Sequence, residues 1–172
     1  MLLFCYNDNE VFIMLLLCFL GCLLFTVVVC SITLSNPLLM INNYPPKIRE
    51  KVYDLKLCKK EEETIWRKIG KIFFFGFVVG VILYLFYEVR DFTFIFFKSL
   101  ILCNVINLYD VLVLDLIWFC HSEGVKIEGT EDMEEYSDYK FHIIGGLKGI
   151  VISFLISLIA GGFVLLIKYL FF

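Results

Sequence analysis

Five side chains able to hydrogen-bond or exchange a proton recur through one apolar stretch, "NVINLYDVLVLDLIWFCHS": Asn104, Asn107, Asp110, Asp115 and His121. Carboxamides donate and accept, whereas a carboxyl group and an imidazole can also pass a proton. On an α-helical wheel of about 100° per residue with Asn104 at zero, Asp115 falls at about +20°, Asn107 at about −60°, His121 at about −100° and Asp110 at about −120°. The polar groups are thus expected on one face.

If this stretch crosses a bilayer, an ionised carboxylate at its centre costs at least about 2.5 kcal/mol. The face must then turn toward protein or water, and a protonated Asp110 would donate a hydrogen bond. Four readings fit these residue types. The face could clamp helices through Thr26, Ser153, Ser157 or Tyr84, or line a proton, ion or small-solute path. It could end in a cytoplasmic enzyme site built from Asp115, His121 and His142. It could also hold another membrane subunit.

The surrounding elements decide whether a bilayer applies. Sixty per cent of the 172 residues are hydrophobic and the mean hydropathy is +0.87. Soluble domains hold about 45–50% apolar residues, so a small globule cannot bury this surface. Four stretches, Val11–Leu34, Ile69–Tyr87, Phe92–Phe119 and Leu147–Leu170, reach the roughly 20 residues that cross hydrocarbon. Each must be helical there, because no water is present to pair backbone groups. The expectation is a single all-α membrane domain over residues 1–172. Its four transmembrane helices form a bundle, joined by cytoplasmic loops 35–68 and 120–146. The first stretch lacks the basic start and short apolar core of a cleaved signal, so it is read as retained.

Lysine and arginine set the orientation. Lys47, Arg49, Lys51, Lys56, Lys59, Lys60, Arg67, Lys68 and Lys71 lie in or beside the first loop. Lys126, Lys140 and Lys148 lie by the third, and only Arg90, Lys98 and Lys168 fall on the other side. Both termini are therefore expected outside a bacterial cytoplasmic (plasma) membrane crossed by multiple passes. Tyr84, Phe86, Tyr87, Phe92, Phe94, Phe96 and Phe97 cluster at the outer turn, as an interfacial aromatic belt would.

Small residues recur four apart in three spans: Cys18, Cys22, Thr26 and Cys30; Gly76 and Gly80; and Gly145, Gly149, Ser153, Ser157 and Gly161. Residues at that interval share a helical face and let backbones approach closely. Such a face serves packing within the chain or a homo-oligomer.

In the first loop, Pro46 suits the first turn of a helix. Ile48, Val52 and Leu55 then recur at helical spacing among Lys47, Arg49, Lys51 and Lys56. That pattern predicts either an interfacial helix on anionic lipid headgroups or a solvated connector. The third loop is acidic, is expected to meet the basic first loop, and offers Thr130 as the cap of a short helix. His121, Glu123, Asp138 and His142 are metal-capable types, but no ligand spacing such as HExxH occurs. The seven cysteines form no CxxC and are read as small buried hydrophobes. No metal, cofactor, catalytic nucleophile or nucleic-acid partner is expected.

"EETIWR", Glu62 to Arg67, matches the EExxxR element of CAAX-protease-like membrane endopeptidases, yet the FxxxH of that family is nowhere present. The match is read as chance. "NYPPKI" (43–48), "NLYDVLVLDLIWF" (107–119) and "IEGTEDMEEYSDYKFH" (127–142) together resemble a family of uncharacterised small four-span bacterial membrane proteins. That family has an Asn/Asp-rich third helix followed by a PGTE-like loop with Tyr and His; here Glu128 stands in place of the proline. The resemblance implies that the third helix and its loop act as one unit, and it brings no activity with it.

The charge bias makes a direct prediction. A membrane-impermeant thiol reagent should leave Cys58 unlabelled in intact cells and reach it in inverted vesicles; labelling from outside refutes the orientation.

Overall fold

A computed structural model describes residues 8–60, 63–88 and 91–171, and every regular element among them is helical. Glu62 and Arg90, and Cys5 among the seven cysteines, lie outside the described residues. Helix α1 spans Asp8–Ser35, α2 Pro46–Asp54, α3 Ile65–Tyr87, and α5 Tyr139–Phe171. Helix α4 starts as Phe92–Tyr109 and runs on as a π-helix, Asp110–Trp118, and a 3-10 turn, Phe119–His121. Four helical spans, Asp8–Ser35, Ile65–Tyr87, Phe92–His121 and Tyr139–Leu170, are long and apolar enough to cross a membrane. This is a multi-pass membrane protein.

Helix ends follow local chemistry rather than hydropathy. Helix α5 begins at Tyr139, well before the apolar boundary at Leu147, because Asp138 caps it: Phe141 N–H donates to Asp138 Oδ1 at 3.0 Å. Asp91 does the same for α4, accepting from Phe94 N–H at 2.8 Å. Helix α3 stops where Glu88 turns left-handed at φ 54°.

Two compact units organise the chain. The first comprises Met1–Gly21, Glu63–Asn107 and Gly149–Phe172. Met14, Leu17, Leu83, Ile95, Leu102, Ala160 and Val164 form its buried core, drawn from all four long helices. Glycine sets the closest contacts. A Cβ on Gly80 would stand 3.0 Å from the Ala160 carbonyl oxygen and 3.2 Å from its Cα, and one on Gly76 2.7 Å from Ile159 Cβ. Helices α3 and α5 therefore touch backbone to backbone, as association without a hydrophobic drive requires.

The second unit comprises Cys22–Glu62 and Leu108–Lys148. Its loops fold on each other. Ile41, Tyr44, Ile48, Val52, Phe119, Val125, Ile127 and Tyr136 build one buried cluster. The Tyr44 ring packs edge-on against Phe119 at 4.9 Å and Tyr136 at 6.1 Å. Tyr44 O–H donates to the Val125 carbonyl at 2.8 Å, and burial pushes the phenol well above its usual range. Pro46 opens α2, and the apolar face of that helix is not presented to headgroups or solvent. Ile48 and Val52 are fully buried, so its apolar face is spent on protein.

Thr130 is likewise not a helix cap. The short helix that follows, Glu134–Ser137, has no side-chain cap. Thr130 is buried, donates to the Ile127 carbonyl at 2.7 Å and pairs with Tyr136 O–H at 2.7 Å. Tyr136 Oη also accepts the Ile127 N–H at 2.9 Å. The threonine and tyrosine together satisfy loop backbone that burial would leave orphaned. The acidic loop meets the basic one at Lys47–Glu135, 2.7 Å.

Two expected outcomes follow from these contacts. Gly80→Ala should destabilise the protein by about 1–3 kcal/mol through overpacking. Gly145→Ala, with nothing within 4 Å of the new Cβ, should be neutral or gain up to about 1 kcal/mol; denaturant unfolding in detergent reads both. The second concerns pH. The Lys47 hydrogen bond and charge hold Glu135 below its ordinary range, and Glu135 in turn holds Lys47 above its own. The depressed carboxyl contributes stability that is present at neutral pH and lost as pH falls through its folded value. The raised ammonium contributes stability that is lost as pH rises through its own. The melting-temperature difference between wild type and Lys47→Met should therefore vanish below the carboxylate range; one that persists at pH 2 contradicts the pair.

Candidate functional site

The π-helical part of α4 re-aims the polar face. In an α-helix the N–H of residue i+4 bonds the carbonyl of residue i and lies above it. With i→i+5 bonding that place passes to residue i+5. Asp110 and Asp115, five apart and about 140° apart on an α-helical wheel, are thereby brought toward a common face. Asp110 lies within electrostatic reach of Asp115 and of His142.

His142 sits in the first turn of α5, and its side chain is only 3% exposed. Its Nδ1 is 3.2 Å from Asp115 Oδ2. Its ring lies 5.0 Å from Phe119 and 5.3 Å from Phe141. Its Nε2 is buried without a hydrogen-bond partner. Space for this approach comes from Gly146, where a Cβ would collide with Val111 of the π segment. A carboxylate on Nδ1 fixes ring orientation and leaves Nε2 as the chemically available atom.

His121 is placed differently. Its Nδ1 is 3.0 Å from the Ile117 carbonyl, which can only accept, so that nitrogen carries the proton. Nε2 is then free to accept from Tyr139 O–H at 3.4 Å. Asp115 is thus joined to His142, while His121 is joined to Tyr139.

The remaining predicted residues hold polar groups and backbones in place. Within the first unit, Asn104 Nδ2 donates to the Leu100 carbonyl of its own helix at 2.8 Å. Asn107 lies directly against Gly149, where a Cβ would overlap its carboxamide. Ser153 and Ser157 are buried, and Ser157 O–H donates back to the Ser153 carbonyl at 2.7 Å. Gly161 meets Phe92, 2.9 Å from where its Cβ would stand, whereas nothing lies within 4 Å of a Cβ on Gly145. In the second unit Thr26 bonds a residue of α4, though not one of the five. Its hydroxyl donates to the Cys22 carbonyl at 2.9 Å, so Tyr109 O–H donates to Thr26 Oγ1 at 2.7 Å.

One cluster escaped the sequence reading. Lys98, which the charge pattern marks only as a flanking cation, is 5% exposed and 3.6 Å from Glu10 Oε2. Its ammonium lies 5.1 Å from the centroids of both Tyr87 and Phe94. Tyr87 O–H also donates to the Glu10 carbonyl at 3.2 Å, tying α1 to α3. The available signal was a lysine placed inside an apolar run. Among the described residues no group of three or more His, Cys, Asp or Glu side chains is arranged to hold a metal ion.

No family model, curated protein or solved structure matches the chain.

Proposed function

We propose that this is a non-enzymatic integral protein of a bacterial cytoplasmic membrane, with both termini outside, acting as a small transport component built around the polar face of α4. The observation that carries this reading is Asp115 turned onto a buried imidazole, His142, with Asp110 brought toward it by the π segment. Carboxylates inside membrane helices are costly and mark ion and proton pathways or partner contacts. π segments recur at functional sites. The charge distribution across the loops supports the orientation.

Service as an accessory subunit, or as a homo-oligomer, is the second reading. The apolar faces of the long helices leave room for either. Membership of the small four-span family is proposed on the same loop and helix residues. An enzyme site using Asp115, His121 and His142 is less favoured, because His121 is committed to Ile117 and Tyr139. Contact with anionic lipid, where it occurs, would use the cationic side chains of α2 and not its buried apolar face.

Purified protein in sealed vesicles tests the proposal. Wild type should pass protons, alkali cations or small neutral solutes above the level of empty vesicles. Asp110→Asn should fold and change that flux at least tenfold, whereas Asp110→Leu should lose helical content. Absence of any such flux in wild type removes the transport reading in favour of the accessory one. A fully folded Asp110→Leu removes the polar core itself.

A further inference from the structure

Resting on the reading of α4 as a polar core, we infer that the Asp115–His142 pair is a proton-binding site and that His142 Nε2 is the atom through which the proton enters and leaves. Three observations converge on it. Nδ1 is held by Asp115 at 3.2 Å, so the ring cannot turn without breaking that contact. Nε2 has no hydrogen-bond partner, although the side chain is only 3% exposed. A buried polar atom left in that state is destabilising and calls for a physical explanation. The third observation is the grouping of charge. Asp115 is paired with the imidazole and Asp110 lies within electrostatic reach of both, so the three side chains together are neutral only when two protons are bound.

The chemical class of the ligand follows from the space. Phe119 and Phe141 close on the ring, at 5.0 and 5.3 Å between centroids. No metal-binding group of three ligands is present among the described residues, which disfavours a cation that needs several donors. A proton needs neither a cavity nor a coordination shell. Among the described residues, Asp110 on α4 lies within electrostatic reach of both members of the pair, and Cys120 within reach of Asp115 and of Asp138 at the start of α5. Lys140 is the nearest cation in sequence. The proton balance is simple. When Nε2 gains a proton the ring becomes imidazolium and forms an ion pair with the Asp115 carboxylate, 3.2 Å from Nδ1; when Nε2 loses it, the ring is neutral beside the same carboxylate.

The chain contains two histidines, so ¹⁵N-histidine-labelled protein in lipid nanodiscs gives two imidazoles, with His121→Gln assigning the remaining one to His142. The expected result is that His142 Nε2 passes between bare and protonated forms across the scanned pH range. Asp115→Asn, which removes the counter-ion on Nδ1, should change the protonated fraction of His142 at fixed pH at least threefold and leave His121 as it was. A His142 held in one state throughout that range overturns the site, and the wild-type scan decides this even if Asp115→Asn fails to fold. A transition that is indifferent to Asp115→Asn overturns it as well. Flux into vesicles is read separately: a titrating His142 in vesicles that pass nothing upholds the proton site and removes only the transport reading.

Discussion

A polar group withdrawn from water must find its partner inside the protein, and most of the unusual features of this chain follow from that constraint. Asp115 meets His142, Lys98 meets Glu10 between two aromatic rings, and Tyr109 meets Thr26. Other side chains turn back on their own helix: Asn104 to Leu100, Ser157 to Ser153, and His121 Nδ1 to Ile117. These bonds replace water at groups that would otherwise raise the cost of each span. Among the described residues the exceptions are His142 Nε2 and Arg49 Nε.

The π segment is the device that makes the main pairing geometrically available. An α-helical α4 would leave Asp110 and Asp115 about 140° apart. Bonding one residue further along draws them toward one side, and Gly146 removes the side chain that would keep α5 away from Val111. Below it, the 3-10 turn places Phe119 between His142 and the rings of Tyr44 and Tyr136. The membrane helix and the folded loops thus share side chains, and Phe119 belongs to both.

The loops illustrate how one sequence pattern can serve two surroundings. Ile48 and Val52 at helical spacing among lysines are what an interfacial helix shows, and they are also what a helix packed on protein shows. Periodicity reports that an apolar face exists and says nothing of what covers it. Val125, Ile127 and Tyr136, which cover it, lie far along the chain in a segment dominated by carboxylates. Thr130 shows the same ambiguity: a Thr before Glu and Asp has the pattern of a cap, but its hydroxyl donates to the Ile127 carbonyl and pairs with Tyr136.

From sequence alone came the all-helical class, the four apolar spans, the helical start at Pro46 and the polar character of α4, because each depends on local composition or on the absence of water around a span. Hydropathy could not locate the start of α5, since capping by Asp138 does not register as apolar length. Nor could a wheel anticipate the π-helix, whose altered hydrogen bonding changes the angle between residues. Tertiary structure alone decided which polar groups meet: Asp115 with His142, Lys98 with Glu10, Thr26 with Tyr109. Those choices rest on the close approach of helices distant in sequence, which small residues such as Gly80, Gly146 and Gly149 permit but do not by themselves specify.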